Sequence, residues 1–325
     1  MSDHTYLVTG SMGCIGSWVL KHLAARGDRI IATDLGDDPV RPRLLMSDET
    51  LGQMTWASLD VTDTKAVADL VANEGVDRIV HLAGLQIPFC RANPALGAAV
   101  NVDGTVNVFE AARAAGIKSI AYASSIAVLG PANSYESYPL DDSVLPNPAT
   151  LYGVYKVANE GTARIYAQDW DVGSIGLRPH SVFGIGRDQG VTADFAKAIL
   201  AAAIGKPFHI RFGGQVALQH ASDVAQAFID CADAQVEGAF ACNQRYDVMS
   251  VGDFVELLTD MVPGAQITFD ADTPLPVDAD LDDSGLRALI GDIQHTPLRT
   301  SIEQDIAAYR SLVEAGKIDL SQLDR

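Results

Sequence analysis

The sequence is poor in basic residues, in cysteine and in long apolar runs, and each shortage excludes something. Lys and Arg number 23 against 42 Asp and Glu, a formal net charge of −19. A surface this acidic repels nucleic acid and anionic membranes, so neither is expected as a partner. The four cysteines, Cys14, Cys90, Cys231 and Cys242, stand far apart with no Cys-x-x-Cys pair. That spacing points away from a disulfide scaffold and from a zinc cluster, and free thiols in a reducing cytoplasm are the expectation. No apolar run approaches the roughly 20 residues that a membrane span requires; residues 198–205 are closed off by Lys197 and Lys206. Residues 5–9 read as a strand, not as the basic stretch and apolar core of a secretory leader.

What is present suits a large globular protein. The chain has 325 residues, 48% of them hydrophobic, enough for one α/β domain with an appended lobe. Short β-rich runs at 6–9, 29–33, 55–58, 78–81, 119–124 and 173–178 alternate with helical patterns at 15–26, 64–74, 94–115 and 152–169. Alternation of this kind predicts a doubly wound parallel sheet with helices on both faces. After Arg178 the texture changes. Gly184, Gly186, Gly190, Gly213 and Gly214 interrupt the pattern, and Pro207, Pro263, Pro274, Pro276 and Pro297 punctuate the rest. The expected division is therefore a cofactor domain over 1–178, with 215–240 returning to it. A smaller, mixed C-terminal substrate lobe takes 179–214 and 241–325.

Gly10-Ser-Met-Gly13-Cys-Ile-Gly16 lies between the first strand and the first helix. Glycines there keep the turn tight and let backbone N–H groups and the helix N-terminus meet a pyrophosphate. Asp34 ends the second strand, where a carboxylate accepts ribose hydroxyl protons and repels a 2′-phosphate, favouring NAD over NADP. The chain thus carries the marks of a Rossmann domain. Cys14 and Ile15 complete the loop, Cys14 being read as a small residue that fits and not as a redox switch. Asp60 and Val61 follow the third strand as candidates to hold the adenine. Leu82, Ala83 and Gly84 follow the fourth, where small residues admit a backbone approach. His81 is read as a structural side chain.

Tyr152-Gly-Val-Tyr-Lys156 puts a phenol and an ammonium on one helical face. Such a tyrosine becomes a base near neutral pH when positive charge favours its phenolate. A serine of the Ser124-Ser125 pair, at the end of the fifth strand, is placed to hydrogen-bond a substrate oxygen, and only one of the two points that way. With these residues the chain resembles the extended short-chain dehydrogenase/reductase superfamily, in its NAD-dependent epimerase/dehydratase branch. The resemblance covers nearly the whole chain, from the glycine loop through Asp34, Asp60-Val61, residues 82–84, Asn101-Val-Asp-Gly-Thr, residues 124–130 and 152–156, to Leu177-Arg-Pro-His-Ser-Val-Phe-Gly184. It implies Ser125, Tyr152 and Lys156 as the catalytic set and NAD as cofactor. Asn101, Pro179 and His180 join the cofactor site, Pro179 and His180 at the nicotinamide end. It also implies a homodimer through the helices at 94–115 and 152–169, packed as a four-helix bundle.

Departures from that pattern bear on the substrate. Ile126-Ala127 stands where the related dehydratases carry an Asp-Glu pair, which disfavours water elimination. Val216, seven residues before Asp223, replaces the arginine with which nucleotide-sugar epimerases hold a diphosphate, and Ser181 replaces a substrate asparagine. Gln86, Ser125, Ser181, Arg187 and Arg211 are the substrate candidates, the two arginines for an anionic group. The reading that follows is NAD-dependent hydride transfer at a secondary alcohol of a sugar or sugar-derived small molecule. An epimerase with tightly bound NAD comes second. A non-catalytic NAD-binding regulator comes last, because such proteins lose the tyrosine or the lysine.

Overall fold

The structure, a computed structural model, describes residues 4–131, 134–277 and 279–324. All six predicted strands form: β1 (Thr5–Thr9), β2 (Arg29–Asp34), β3 (Thr55–Ser58), β4 (Arg78–His81), β5 (Ser119–Ala123) and β6 (Gly173–Arg178). The later strands are β7 (Ser181–Phe183), β8 (Phe208–Ile210), β9 (Gln215–His220), β10 (Ala239–Asn243), β11 (Asp247–Ser250) and β12 (Ile267–Phe269). Every residue of β1 and β6 is buried, as a parallel sheet covered on both faces demands. β10 joins the first six in one seven-stranded parallel sheet of order β10-β6-β5-β4-β1-β2-β3. Chain order reverses between β1 and β4, so a crevice opens at their carboxyl ends, the place where such sheets take ligands.

The helices are α1 (Cys14–Arg26), α2 (Pro42–Leu45), α3 (Asp48–Leu51), α4 (Thr64–Glu74), α5 (Ile87–Ala92), α6 (Pro94–Ala98), α7 (Gly104–Ala115), α8 (Leu151–Trp170), α9 (Asp194–Ala203), α10 (Ala221–Ala234), α11 (Val251–Met261), α12 (Ser284–Ile290) and α13 (Leu298–Glu314). α1 and α10 pack together on one face of the sheet, sharing a core that includes Trp18, Leu20 and Phe228. α4, α7 and α8 cover the other face through Val67, Phe109 and Tyr166. The sequence predicts one helix over 94–115, but a π-helical turn, Ala99–Asp103, separates α6 from α7. That turn buries the Asn101 amide, whose Nδ2 donates to the Gly97 carbonyl at 2.9 Å and to the Leu85 carbonyl at 3.2 Å.

β7, β9 and β11 make a small mixed sheet, and β8 pairs in parallel with β12. α9, α11 and α13 surround them. All ten residues of α9 are buried, because α13 and β8 lie against it. The return to the main sheet is made by α10 and β10, while β9 stays with the small sheet.

One buried network joins these parts. Arg178, at the end of β6, donates from Nε to Glu160 Oε1 at 2.8 Å and from Nη2 to Oε2 at 2.9 Å. Ser124 donates to the same Glu160 Oε1 at 2.6 Å. Nη1 of Arg178 reaches the Asn243 side chain on β10 at 3.3 Å, and the Asn243 N–H donates to Asp142 at 2.6 Å. The end of β5, the middle of α8, β6, β10 and the 140s loop are thereby held in one arrangement. Arg178→Met leaves Glu160 as a buried carboxylate without its charge partner, and is expected to cost about 3–5 kcal/mol of stability by urea unfolding. A loss below about 1 kcal/mol would show that the network does not hold these elements together.

Candidate active site

The crevice widens into a cleft of ≈ 760 Å³ lined by the glycine loop, the ends of β2, β4 and β5, the first turns of α8, and residues 186–192 and 275–277. At its floor the chain makes contacts that only glycine allows. Gly10 has φ +67°, and a Cβ there would lie 2.7 Å from the Ala83 nitrogen; a Cβ at Gly16 would lie 2.3 Å from the Gly10 carbonyl oxygen. Gly13 is the N-cap of α1, with no side chain capping the helix and no acid in its first turn, so the first N–H groups and the positive end of the helix remain for an anion. Asp34 stands at the far end. Its oxygens accept from the Met12 N–H at 2.9 Å and the Leu35 N–H at 2.8 Å, which fixes the carboxylate while leaving lone pairs toward the cleft. An extended dinucleotide fits this combination of uncapped helix, glycine floor and distal carboxylate.

Asp60, Val61, Leu82, Ala83 and Gly84 line the same cleft. Asn101 does not. It sits beneath, 1% exposed, and its buried Oδ1 lies 2.8 Å from where a Cβ of Gly84 would be, so it shapes the loop from below. His81 is bonded to Thr9 at 2.7 Å and Thr105 at 3.1 Å, and burial, with the Lys156 charge nearby, pushes it down to about 3. It is a neutral structural histidine. Burial raises the Cys14 thiol to about 12, which keeps it protonated.

Ser125, Tyr152 and Lys156 meet in the cleft. Thr150 caps α8 by accepting from the Gly153 N–H at 3.1 Å, which sets where the helix starts and so where Tyr152 and Lys156 point. Ser124 spends its hydroxyl on Glu160, whereas Ser125 accepts from the Ala127 N–H at 3.1 Å within its own turn and meets the Tyr152 phenol. The second tyrosine, Tyr155, turns away and donates to the Pro94 carbonyl at 2.9 Å. Lys156 Nζ donates to the Ala123 carbonyl at 2.7 Å and lies 5.6 Å from the centre of the Tyr152 ring. Burial brings Lys156 down to about 8. The Tyr152 phenol is raised, not lowered, because burial outweighs its contact with Ser125 and the pull of the Arg187 charge. Lys156 is not among the groups that move the phenol in the cofactor-free chain; its ammonium donates to the Ala123 carbonyl.

At the other end stand Gln86, Pro179, His180 and Arg187. Two substrate candidates lie elsewhere. Ser181 is fully buried behind the wall, 2.9 Å from His180 Nδ1. Arg211 is outside the cleft, where Nε and Nη2 donate to Asp194 at 2.9 and 2.7 Å. The sequence offers no motif for several residues that do line the cleft, among them Arg41, Asp188, Thr192 and Leu275–Val277. Arg41 donates to Asp188 at 2.8 Å and to the Met12 carbonyl at 3.1 Å, tying the loop after β2 to the loop after β7.

Lys156 sets a pH dependence. Its pKa is near 8 in the folded chain and about 10.4 in an unfolded one, so the unfolded chain binds more protons between those values and stability rises with pH across that window. Tyr152, raised on folding, acts in the opposite sense as pH climbs through about 10. Urea unfolding of the cofactor-free protein between pH 7.5 and 9.5 should show wild type gaining roughly 2 kcal/mol relative to Lys156→Met. Parallel curves for the two proteins would exclude it.

A model of the NAD dependent epimerase/dehydratase family matches residues 6–262. The chain is 34% identical over 209 residues to the UDP-glucose 4-epimerase of Mycolicibacterium smegmatis, covering 62% of this chain and 65% of that protein. It is 32% identical over 190 residues to the NAD-dependent glucose-6-phosphate dehydrogenase of Haloferax volcanii, covering 54% of this chain and 68% of that one. The chain thus spans about two thirds of the length of these relatives. Its fold matches the L-threonine dehydrogenase of Cupriavidus necator with a TM-score of 0.80 at 23% identity, over 94% of this chain and 99% of that one. The Thermus thermophilus UDP-glucose 4-epimerase in complex with NAD superposes with a TM-score of 0.79 at 20% identity, over the same shares of the two chains. Since the family match runs from the first strand to the end of α11, well over half the sequence, the chain belongs to the NAD dependent epimerase/dehydratase family and is an NAD-dependent enzyme.

Proposed function

We propose that this enzyme is a dehydrogenase that oxidises a secondary alcohol of a sugar or sugar-derived small molecule. The observation that carries the reading is the convergence of Ser125, Tyr152 and Lys156 on the cleft that also holds the glycine loop. NAD, when bound, supplies the hydride acceptor. The glycine loop and the start of α1 receive its pyrophosphate, Asp34 its ribose hydroxyls, and Pro179 and His180 border its nicotinamide end. Ser125 hydrogen-bonds the substrate oxygen and Tyr152 takes the hydroxyl proton. Lys156, positively charged below about pH 8, would favour the tyrosinate together with the positive nicotinamide ring once NAD is bound, and would hold ribose hydroxyls.

A small substrate is supported by what the lobe lacks. Val216 is fully buried in β9 and Ser181 lies behind the wall, so two contacts for a nucleoside diphosphate are missing. The second reading, an epimerase that retains NAD, rests on the 34% identity to a UDP-glucose 4-epimerase. Homodimerisation through α7 and α8 as a four-helix bundle is part of the proposal, supported by exposed Leu151 and Val154 on α8 and Leu96 on α6. A cytoplasmic location suits four free cysteines.

The test is to incubate the purified protein with NAD and a panel of sugars, sugar acids and polyols and to follow NADH absorbance. Release of NADH is expected with at least one of them. Tyr152→Phe is expected to lower kcat by roughly 10²–10⁴ while leaving NAD affinity within a few-fold. Tightly retained NAD with no net NADH from any compound would favour the epimerase. A clear preference for NADP would overturn the role given to Asp34.

A further inference from the structure

Four residues lining the cleft carry a basic nitrogen: Arg41, Lys156, His180 and Arg187. Three of them are engaged. Arg41 is bound by Asp188 and the Met12 carbonyl, Lys156 by the Ala123 carbonyl, and His180 by Ser181. Arg187 differs. Among the described residues its guanidinium makes a single, long hydrogen bond, 3.3 Å from Nη2 to the Thr192 hydroxyl, and its Nε is buried with no partner. The adjacent carboxylate, Asp188, is turned to Arg41. A partly buried guanidinium without a paired carboxylate is costly, and the nearest acid in sequence is spent on Arg41.

Its surroundings define the missing partner. A Cβ on Gly190 would lie 2.5 Å from Gln86 Oε1 and 3.1 Å from Arg187 Nη2, so an amide and a guanidinium border one small space. The Arg187 charge is felt at Tyr152, where it pulls the phenol down against burial, so the cation and the reacting end share one chamber. Ile87, Leu275, Pro276 and Val277 supply the apolar part of the lining. We propose that Arg187, with Gln86 and Thr192, seats a carboxylate, and that the substrate is a hydroxy acid: a secondary alcohol, such as a sugar acid, bearing one carboxylate. This rests on the dehydrogenase reading and narrows it. One planar fork matches one carboxylate in charge and shape, whereas a phosphate dianion would meet a single free cation.

The test reads binding separately from turnover. NADH-loaded protein is titrated with matched pairs of an acid and its neutral parent: galacturonate and galactose, glucuronate and glucose, 3-hydroxybutyrate and 2-butanol. Galactose 6-phosphate is added as the phosphate probe, and NADH fluorescence is the signal. In wild type at least one acid should bind about tenfold or more tighter than its neutral partner. That advantage should fall to about threefold or less in Arg187→Met and be partly restored in Arg187→Lys. Thermal melting and retained NADH binding confirm that the variants are folded. No advantage for any acid, or one that persists in Arg187→Met, overturns the proposal. Tighter, Arg187-dependent binding of galactose 6-phosphate than of every acid overturns the choice of carboxylate. Acid binding that depends on Arg187 while no compound yields NADH would support the anion seat and count against hydride transfer alone.

Discussion

The bidentate pair between Arg178 and Glu160 is the constraint on which the active end of the molecule depends. Both side chains are nearly out of solvent, 3% and 10% exposed, where a broken pair costs far more than a surface one. By engaging the Ser124 hydroxyl, the pair leaves that of Ser125 as the one not bound to Glu160. By gripping α8 one turn beyond Lys156, it sets that helix against the strand end that carries Ser125. Through Asn243 and Asp142 it carries the same constraint to the last strand of the sheet and to the 140s loop.

Charge is managed locally against an unfavourable background. The pyrophosphate end relies on backbone N–H groups at an uncapped helix, which need no cationic side chain. Elsewhere most arginines answer a nearby acid: Arg41 with Asp188, Arg178 with Glu160, Arg211 with Asp194. Of the two arginines that line the cleft, Arg41 has such an acid and Arg187 has none paired to it.

Much of the sheet was legible because its central strands, β1, β4, β5 and β6, are buried almost throughout and read as short β-rich runs between helical periods. The preference for Ser125 over Ser124 and for Tyr152 over Tyr155 comes from the family pattern and not from periodicity; the structure bonds Ser124 to Glu160 and Tyr155 to the Pro94 carbonyl. What escaped the sequence is relational. Arg211 looks as available as Arg187 until the fold brings Asp194 against it. Asp194 lies 17 residues earlier, and no spacing rule links them. The Arg41–Asp188 tie spans 147 residues. Three strands of the lobe, β7, β8 and β12, have three residues each, below the length at which alternation is distinctive. The direction in which the Tyr152 phenol moves depends on depth of burial, which a one-dimensional pattern does not carry.

The π-helical turn at Ala99–Asp103 bears on which length changes the chain tolerates. Such a turn amounts to one extra residue in an α-helix, and each residue advances the helical phase by about 100°. The apolar face of α7, with Val108, Phe109 and Ala112 against the sheet, is therefore in phase with α6 only through that extra residue. Losing one residue here would yield a smoother helix and rotate the whole of α7 out of the core. The irregularity is thus what keeps two regular segments in register, and the stretch tolerates substitution better than deletion.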